Sequence, residues 1–99
     1  MTLKDGVDVK GLTPEALIIL LVAENLWKKY GEELVVTAVR DGVHMKNSLH
    51  YKGMAVDLRT RYFNVATQRV ITKELRKRLG KQYDVVMHKT HIHAEYDPK

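Results

Sequence analysis

Two short segments of this 99-residue chain carry side chains of the kinds that bind divalent metal ions. His50 and Asp57 lie on either side of a glycine and a short apolar run. Near the C-terminus, residues 91–95 read His-Ile-His-Ala-Glu. As a strand, that segment would direct its two histidines and its glutamate to one face and its apolar residues to the other. The chemistry that these residues could perform is therefore metal binding.

Zinc is the expected metal, because neutral imidazoles and a carboxylate suit this borderline-soft ion. Three protein ligands would leave a fourth position for water, which is typical of a catalytic rather than a structural site. The alternative is a pair of strands whose histidines are surface residues or form ordinary hydrogen bonds. Clustered ligands raise the metal site to equal standing with that alternative, and spacing alone does not decide between the two.

Residues 48–57, Ser-Leu-His-Tyr-Lys-Gly-Met-Ala-Val-Asp, are similar to a known signature. They resemble the Ser-x-His-x-x-Gly-x-Ala-x-Asp pattern of the D-alanyl-D-alanine carboxypeptidase family, which includes vancomycin-resistance dipeptidases and phage endolysins. Together with His91-Ile92-His93, the same run also resembles the N-terminal signalling domain of hedgehog proteins, which shares the peptidase fold and zinc site. The resemblance covers about residues 34 to 97 and implies a phage or bacterial source.

The resemblance implies specific roles for five residues. His50, Asp57 and His93 would bind one zinc ion, and Arg40 and Ser48 would hold the substrate, with the arginine on its terminal carboxylate. The implied reaction is hydrolysis of peptidoglycan peptide stems at bonds involving D-alanine, with zinc-bound water as nucleophile. For the arginine, a surface salt bridge with a nearby acid is the alternative.

The chain departs from the family pattern at the catalytic base. Carboxypeptidases of this family have an acid three places before the last zinc histidine, where this chain has Thr90; hedgehog domains have a glutamate six places before it, where this chain has Met87. His91 is the first substitute, because in the related lysostaphin-type peptidases the first histidine of a His-x-His pair is catalytic. His88 and His44 follow, since imidazole is suited to proton transfer near neutral pH.

Because Thr90 and Met87 are not acidic, the sequence also allows a second interpretation. The chain would then be a catalytically silent, zinc-containing, hedgehog-like binding module. In either case we expect Glu95 to orient His93, because an imidazole that binds a metal usually donates its other N–H to an acceptor.

Composition narrows the class of protein further. Ninety-nine residues predict one domain, residues 1–99, and the absence of cysteine leaves only nitrogen and oxygen ligands for a metal. Seventeen Lys and Arg against twelve Asp and Glu give a net charge of +5, which favours polyanionic surroundings. No zinc-finger, Gly-rich phosphate loop or RNA-binding aromatic pattern appears, which argues against nucleic acid as a partner.

The secondary-structure signals predict the order α-β-β-α-β-β. Thr13-Pro14-Glu15 starts a helix that runs to Lys29 or Tyr30, and Asn64 caps a second helix that runs to Leu79. The predicted strands are residues 34–39, 53–58, 83–87 and 91–96.

This order predicts a small α+β domain with a mostly antiparallel sheet, two helices on one face and the zinc site on the other. Residues 1–12 show no periodic pattern, and we expect them to form an irregular N-terminal segment. They lack a signal peptide, so we expect the chain to be cytoplasmic on synthesis and then to act on the cell wall. Charged residues interrupt the first helix too early for a membrane span.

Overall fold

The computed structural model describes residues 1–41 and 54–98, with the backbone alone at residues 40, 41 and 54. Within these residues the chain forms an α+β fold with two helices and a mixed sheet of strand order β1-β2-β3-β5-β4. β1 is parallel to β2, and the other neighbouring strands are antiparallel. The elements are β1 (Thr2–Leu3), α1 (Pro14–Lys29), β2 (Val35–Asp41), β3 (Met54–Arg59), α2 (Val65–Leu79), β4 (Tyr83–Met87) and β5 (His91–Tyr96).

Both helices begin and end where the sequence predicts. The Thr13 hydroxyl and the Asn64 side-chain oxygen each accept a hydrogen bond from the backbone N–H three residues later, at 3.1 and 2.8 Å. Pro14 occupies the first position of α1, where its missing N–H is not needed. Gly31 and Gly80 follow the helix ends with positive φ angles, a conformation that glycine adopts without steric cost.

The N-terminal segment differs from the irregular segment that the sequence predicts. The Thr2 N–H donates to Leu34 O at 2.8 Å and the Lys4 N–H donates to Val36 O at 2.9 Å, so β1 extends the sheet alongside β2. A two-residue strand has no periodicity for sequence reading to detect. The pairing satisfies backbone groups of β2 that would otherwise form an open sheet edge.

The hydrophobic core lies between the helices and one face of the sheet. Trp27 of α1 is fully buried there, and its Nε1 donates to the backbone oxygen of Arg59 at 2.9 Å. This bond fixes α1 to the end of β3. The core residues are Ile19, Leu20, Ala23, Leu26, Trp27, Leu34, Val36, Val56, Leu58, Phe63, Ile71, Leu75, Val85, Ile92 and Ala94.

The central strands present polar residues on the face that the helices do not cover. In β5, Ile92 and Ala94 are fully buried in the core. His91, His93 and Glu95 alternate with them and therefore face the other way, as predicted. In β2 a bulge leaves Thr37 as the extra residue between Val36, which pairs with Leu58, and Ala38, which pairs with Asp57. We call this side of the sheet the helix-free face.

Neither helix in the described ranges has the length and apolar character that crossing a membrane requires.

Candidate metal and proton-transfer site

Asp57 and His93 form a cross-strand pair on the helix-free face. They are register partners in the antiparallel pairing of β3 with β5, so their side chains leave the sheet side by side. His93 Nδ1 lies 2.7 Å from Asp57 Oδ1, and Asp57 is only 6% exposed. Two residues 36 positions apart in sequence thus bring an imidazole and a buried carboxylate into direct contact.

The second nitrogen of the same imidazole also faces a carboxylate. His93 Nε2 lies 2.9 Å from Oε1 of Glu95, two residues along the same strand. The hydrogen bond to Asp57 raises the pKa of His93 above its ordinary value, burial opposes that rise, and Glu95 adds to it. In the metal-free protein both ring nitrogens are therefore set up to donate protons.

The donor atoms of this pair are of types that bind zinc, and their present separation of 2.7 Å is that of a hydrogen bond. An imidazole nitrogen and a carboxylate oxygen are ordinary zinc ligands. Ligand atoms about 2.1 Å from a tetrahedral ion lie about 3.4 Å apart, so Nδ1 and Oδ1 would have to separate by about 0.7 Å. Small rotations of the two side chains suffice for that. The Nε2 contact with Glu95 would then persist and fix the orientation of the ring.

A group of three carboxylates lies beside this pair. Asp84, Glu95 and Asp97 each offer an oxygen, and these atoms all lie within 4.8 Å of one another, close enough to hold a metal ion. Sequence reasoning singled out only Glu95. Strand alternation could have found Asp97, because it is two residues from Glu95 in sequence. Asp84 is the register partner of Glu95 in β4, which only the assembled sheet shows.

His91 and His88 lie next to each other at the turn between β4 and β5. Their rings stack with centroids 4.8 Å apart and planes 28° from parallel. His91 Nδ1 lies 3.3 Å from the Thr90 hydroxyl oxygen, and the His88 N–H donates to the backbone oxygen of His91. His91 is the register partner of Arg59, and these two residues form the next pair on the same face after Asp57 and His93.

The remaining predicted site residues fall outside what the structure describes. His44, Ser48 and His50 lie in residues 42–53. The backbone of Arg40 belongs to β2 and pairs with Ala55, but the role predicted for its side chain lies outside the described part.

An open pocket of about 640 Å³ borders the site along the β4 edge of the sheet. Acidic and imidazole groups line one side of it, with Glu95 and His93 among them, and basic residues of α2 and the following turn line the other. Arg76 of α2 also donates through Nε to the backbone oxygen of Val85, which satisfies part of the exposed strand edge. The pocket thus offers charges of both signs next to the imidazole of His93.

No family model, no curated protein and no solved structure matches this chain.

Proposed function

We propose that the protein is a zinc metallopeptidase that hydrolyses D-alanine-containing peptide bonds of peptidoglycan stems. The observation that supports the proposal most is the direct pairing of Asp57 with His93 on the helix-free face. Those two positions are the ones to which the sequence resemblance assigns zinc ligands. The proposal adds His50 as the third ligand, on the resemblance alone.

Asp57 and His93 would hold the metal, and Glu95 would keep the imidazole in position through the 2.9 Å contact with Nε2. Bound zinc would supply a Lewis acid that polarises a peptide carbonyl and lowers the pKa of a water molecule. Burial of Asp57 keeps its carboxylate in a low-dielectric setting, where electrostatic attraction to a cation is stronger than in water.

His91 would move the proton in this reaction. It lies two residues from His93 on the same face of β5, which corresponds to about 6.5 to 7 Å between Cα atoms. Its Nδ1 contacts the Thr90 hydroxyl, which helps to orient the ring. His88, stacked on the same ring, and His44 are the next candidates for the base.

The substrate would be a short peptide held between positively and negatively charged side chains. The pocket of about 640 Å³ beside His93 has the volume of a small-molecule site and carries cationic side chains for carboxylates and acidic ones for amines. Arg40 and Ser48 would complete substrate binding, again on the resemblance alone.

Digestion of purified peptidoglycan, with quantification of new amine termini, tests the proposed function. The wild-type protein loaded with zinc should release new termini, and a chelator should stop the release. His91→Ala should bind zinc normally but turn over about 10² to 10⁴ times more slowly, since that is the usual contribution of a general base. Absence of any metal-dependent product from the wild type would contradict the proposal, and near-normal turnover by His91→Ala would assign the base elsewhere.

A zinc-containing binding module without catalysis is the second candidate, and the non-acidic residues Thr90 and Met87 favour it. The same digestion separates the two candidates. Thr90→Asp should raise turnover if the wild type is a silent peptidase that lacks only its acid, and should change little if His91 already serves as base. Turnover by the wild type itself would eliminate the binding module.

A further inference from the structure

A basic pocket lies on the helix-free face, next to the pair formed by Asp57 and His93. Arg59 follows Asp57 by two residues in β3 and pairs in register with His91. Lys4 reaches the same place because its backbone N–H is bonded to Val36 O at the start of β2. The pocket has a volume of about 190 Å³ and is lined by Lys4, Thr37, Arg59, Arg61, Thr90 and His91.

Three cations, Lys4, Arg59 and Arg61, line this pocket without a carboxylate among the described residues that share it. Among the described residues, no acid lines the pocket, and none forms an ion pair with Lys4, Arg59 or Arg61. Asp5 and Asp8 line an adjoining pocket, which shares Lys4 and Thr37 with this one. Lys29 of α1, in contrast, forms a salt bridge with Glu74 of α2 at 3.4 Å.

We infer that this basic pocket is a binding site for a phosphate-type oxyanion. Like charges that share one small pocket repel each other, and an anion bound between them adds an attraction to each cation that offsets this repulsion. Two guanidinium groups supply planar forks of N–H donors that match a tetrahedral oxyanion. The hydroxyls of Thr37 and Thr90 make only long contacts, at 3.4 Å to the Asp57 backbone oxygen and 3.3 Å to His91 Nδ1, and would add neutral donors to a bound anion.

The size and charge of the pocket select the ligand. A water molecule occupies about 30 Å³ in the liquid, so a pocket of about 190 Å³ has room for one phosphate group with a few waters. Three cations balance a doubly charged phosphate better than a singly charged carboxylate. The bulge in β2 contributes directly, because the extra residue Thr37 brings its side chain to the pocket.

The inference does not depend on the proposed peptidase activity, because Lys4, Arg59 and Arg61 are not among the predicted metal ligands. Phosphate can come from two sources, free phosphate or the phosphodiester backbone of an anionic polymer. Both present the same oxygens to the guanidinium groups, and the net charge of +5 suits either one.

Calorimetric titration with inorganic phosphate at constant ionic strength tests the site. Arg59→Gln and Arg61→Gln should each weaken binding about tenfold or more, because each removes charge-assisted hydrogen bonds. Lys73→Gln is the matched control, an exposed basic residue on α2, and should change affinity less than about twofold. Arg61 is exposed and Arg59→Gln keeps the backbone oxygen that Trp27 needs, so both variants should fold.

Three further arms complete the experiment. Acetate should bind much more weakly than phosphate. Dimethyl phosphate binding as tightly as inorganic phosphate would identify a phosphodiester source, and much weaker binding would identify free phosphate or a monoester. Each titration is repeated with a chelator, because phosphate can also bind a metal. No saturable binding, equal weakening by Lys73→Gln and Arg59→Gln, or binding that a chelator abolishes and both arginine variants retain would overturn the inference.

Discussion

The helix-covered and helix-free faces of the sheet are built from alternate residues of the same strands, yet their chemistry is opposite. In β5, Ile92 and Ala94 are fully buried in the core, whereas His93 and Glu95 form a hydrogen-bonded chain with Asp57 on the other side. The covered face needs only shape and apolarity to stabilise the fold. The helix-free face can carry costly groups, such as a buried carboxylate, because the core fixes the strands that position them.

The adjacent valines of β4 allow the sharpest test of this comparison. Val85 is 4% exposed and packs in the core, and Val86 is 44% exposed on the helix-free face. Val85→Ala should lower the free energy of unfolding by about 2 to 3 kcal/mol, through lost burial and a cavity. Val86→Ala should lower it by less than about 0.5 kcal/mol. Urea denaturation of both variants measures the difference, and equal losses would mean that the two faces are not distinct in packing.

A somewhat smaller effect is expected where the covered face holds the end of β3. Trp27→Phe keeps an aromatic ring in the core but removes the hydrogen bond from Nε1 to the Arg59 oxygen. The loss should be about 1 to 2 kcal/mol of unfolding free energy, since a partly buried carbonyl loses its partner. The same denaturation measures it. A neutral result would show that this bond does not anchor β3.

The smallest expected effect is a pH dependence on the helix-free face of the metal-free protein. The pKa of His93 is raised in the folded state, mainly by its hydrogen bond to Asp57. Its contribution to stability is therefore full below the ordinary pKa of histidine and is lost as the pH rises through the raised value. His93→Gln should remove this slope from chelator-treated protein, as followed by thermal denaturation at a series of pH values. A slope that persists unchanged in the variant would assign it to other groups.

Much of the fold could be predicted because its signals are local. The caps at Thr13 and Asn64 and the left-handed glycines Gly31 and Gly80 fix the helix ends, and the structure confirms them. Alternation in residues 91–96 correctly separated the buried from the polar side of β5. Strand β1 was missed, because its pairing with β2 depends on an open edge that only the assembled sheet creates.

The candidate site shows the same division between local and assembled features. Alternation alone placed His91, His93 and Glu95 together, but nothing local in the sequence states that Asp57 is the register partner of His93. The resemblance assigned both residues to one zinc site but did not give their register. Asp84 and the basic pocket around Arg59 were not anticipated, since each depends on which strands become neighbours. Asp97 was not anticipated either, although its position two residues after Glu95 is a local signal.

The central claim is that Asp57 and His93 bind zinc, and direct metal analysis with competition titration tests it. The wild type should bind one zinc ion per chain. Asp57→Ala and His93→Ala should each weaken binding by more than about 100-fold, because even residues that only orient a ligand contribute about 10- to 100-fold. The matched control is Asp84→Asn in the neighbouring carboxylate group, which should leave zinc affinity unchanged. Absence of zinc from the wild type, or zinc binding that survives Asp57→Ala but is lost in Asp84→Asn, would contradict the claim.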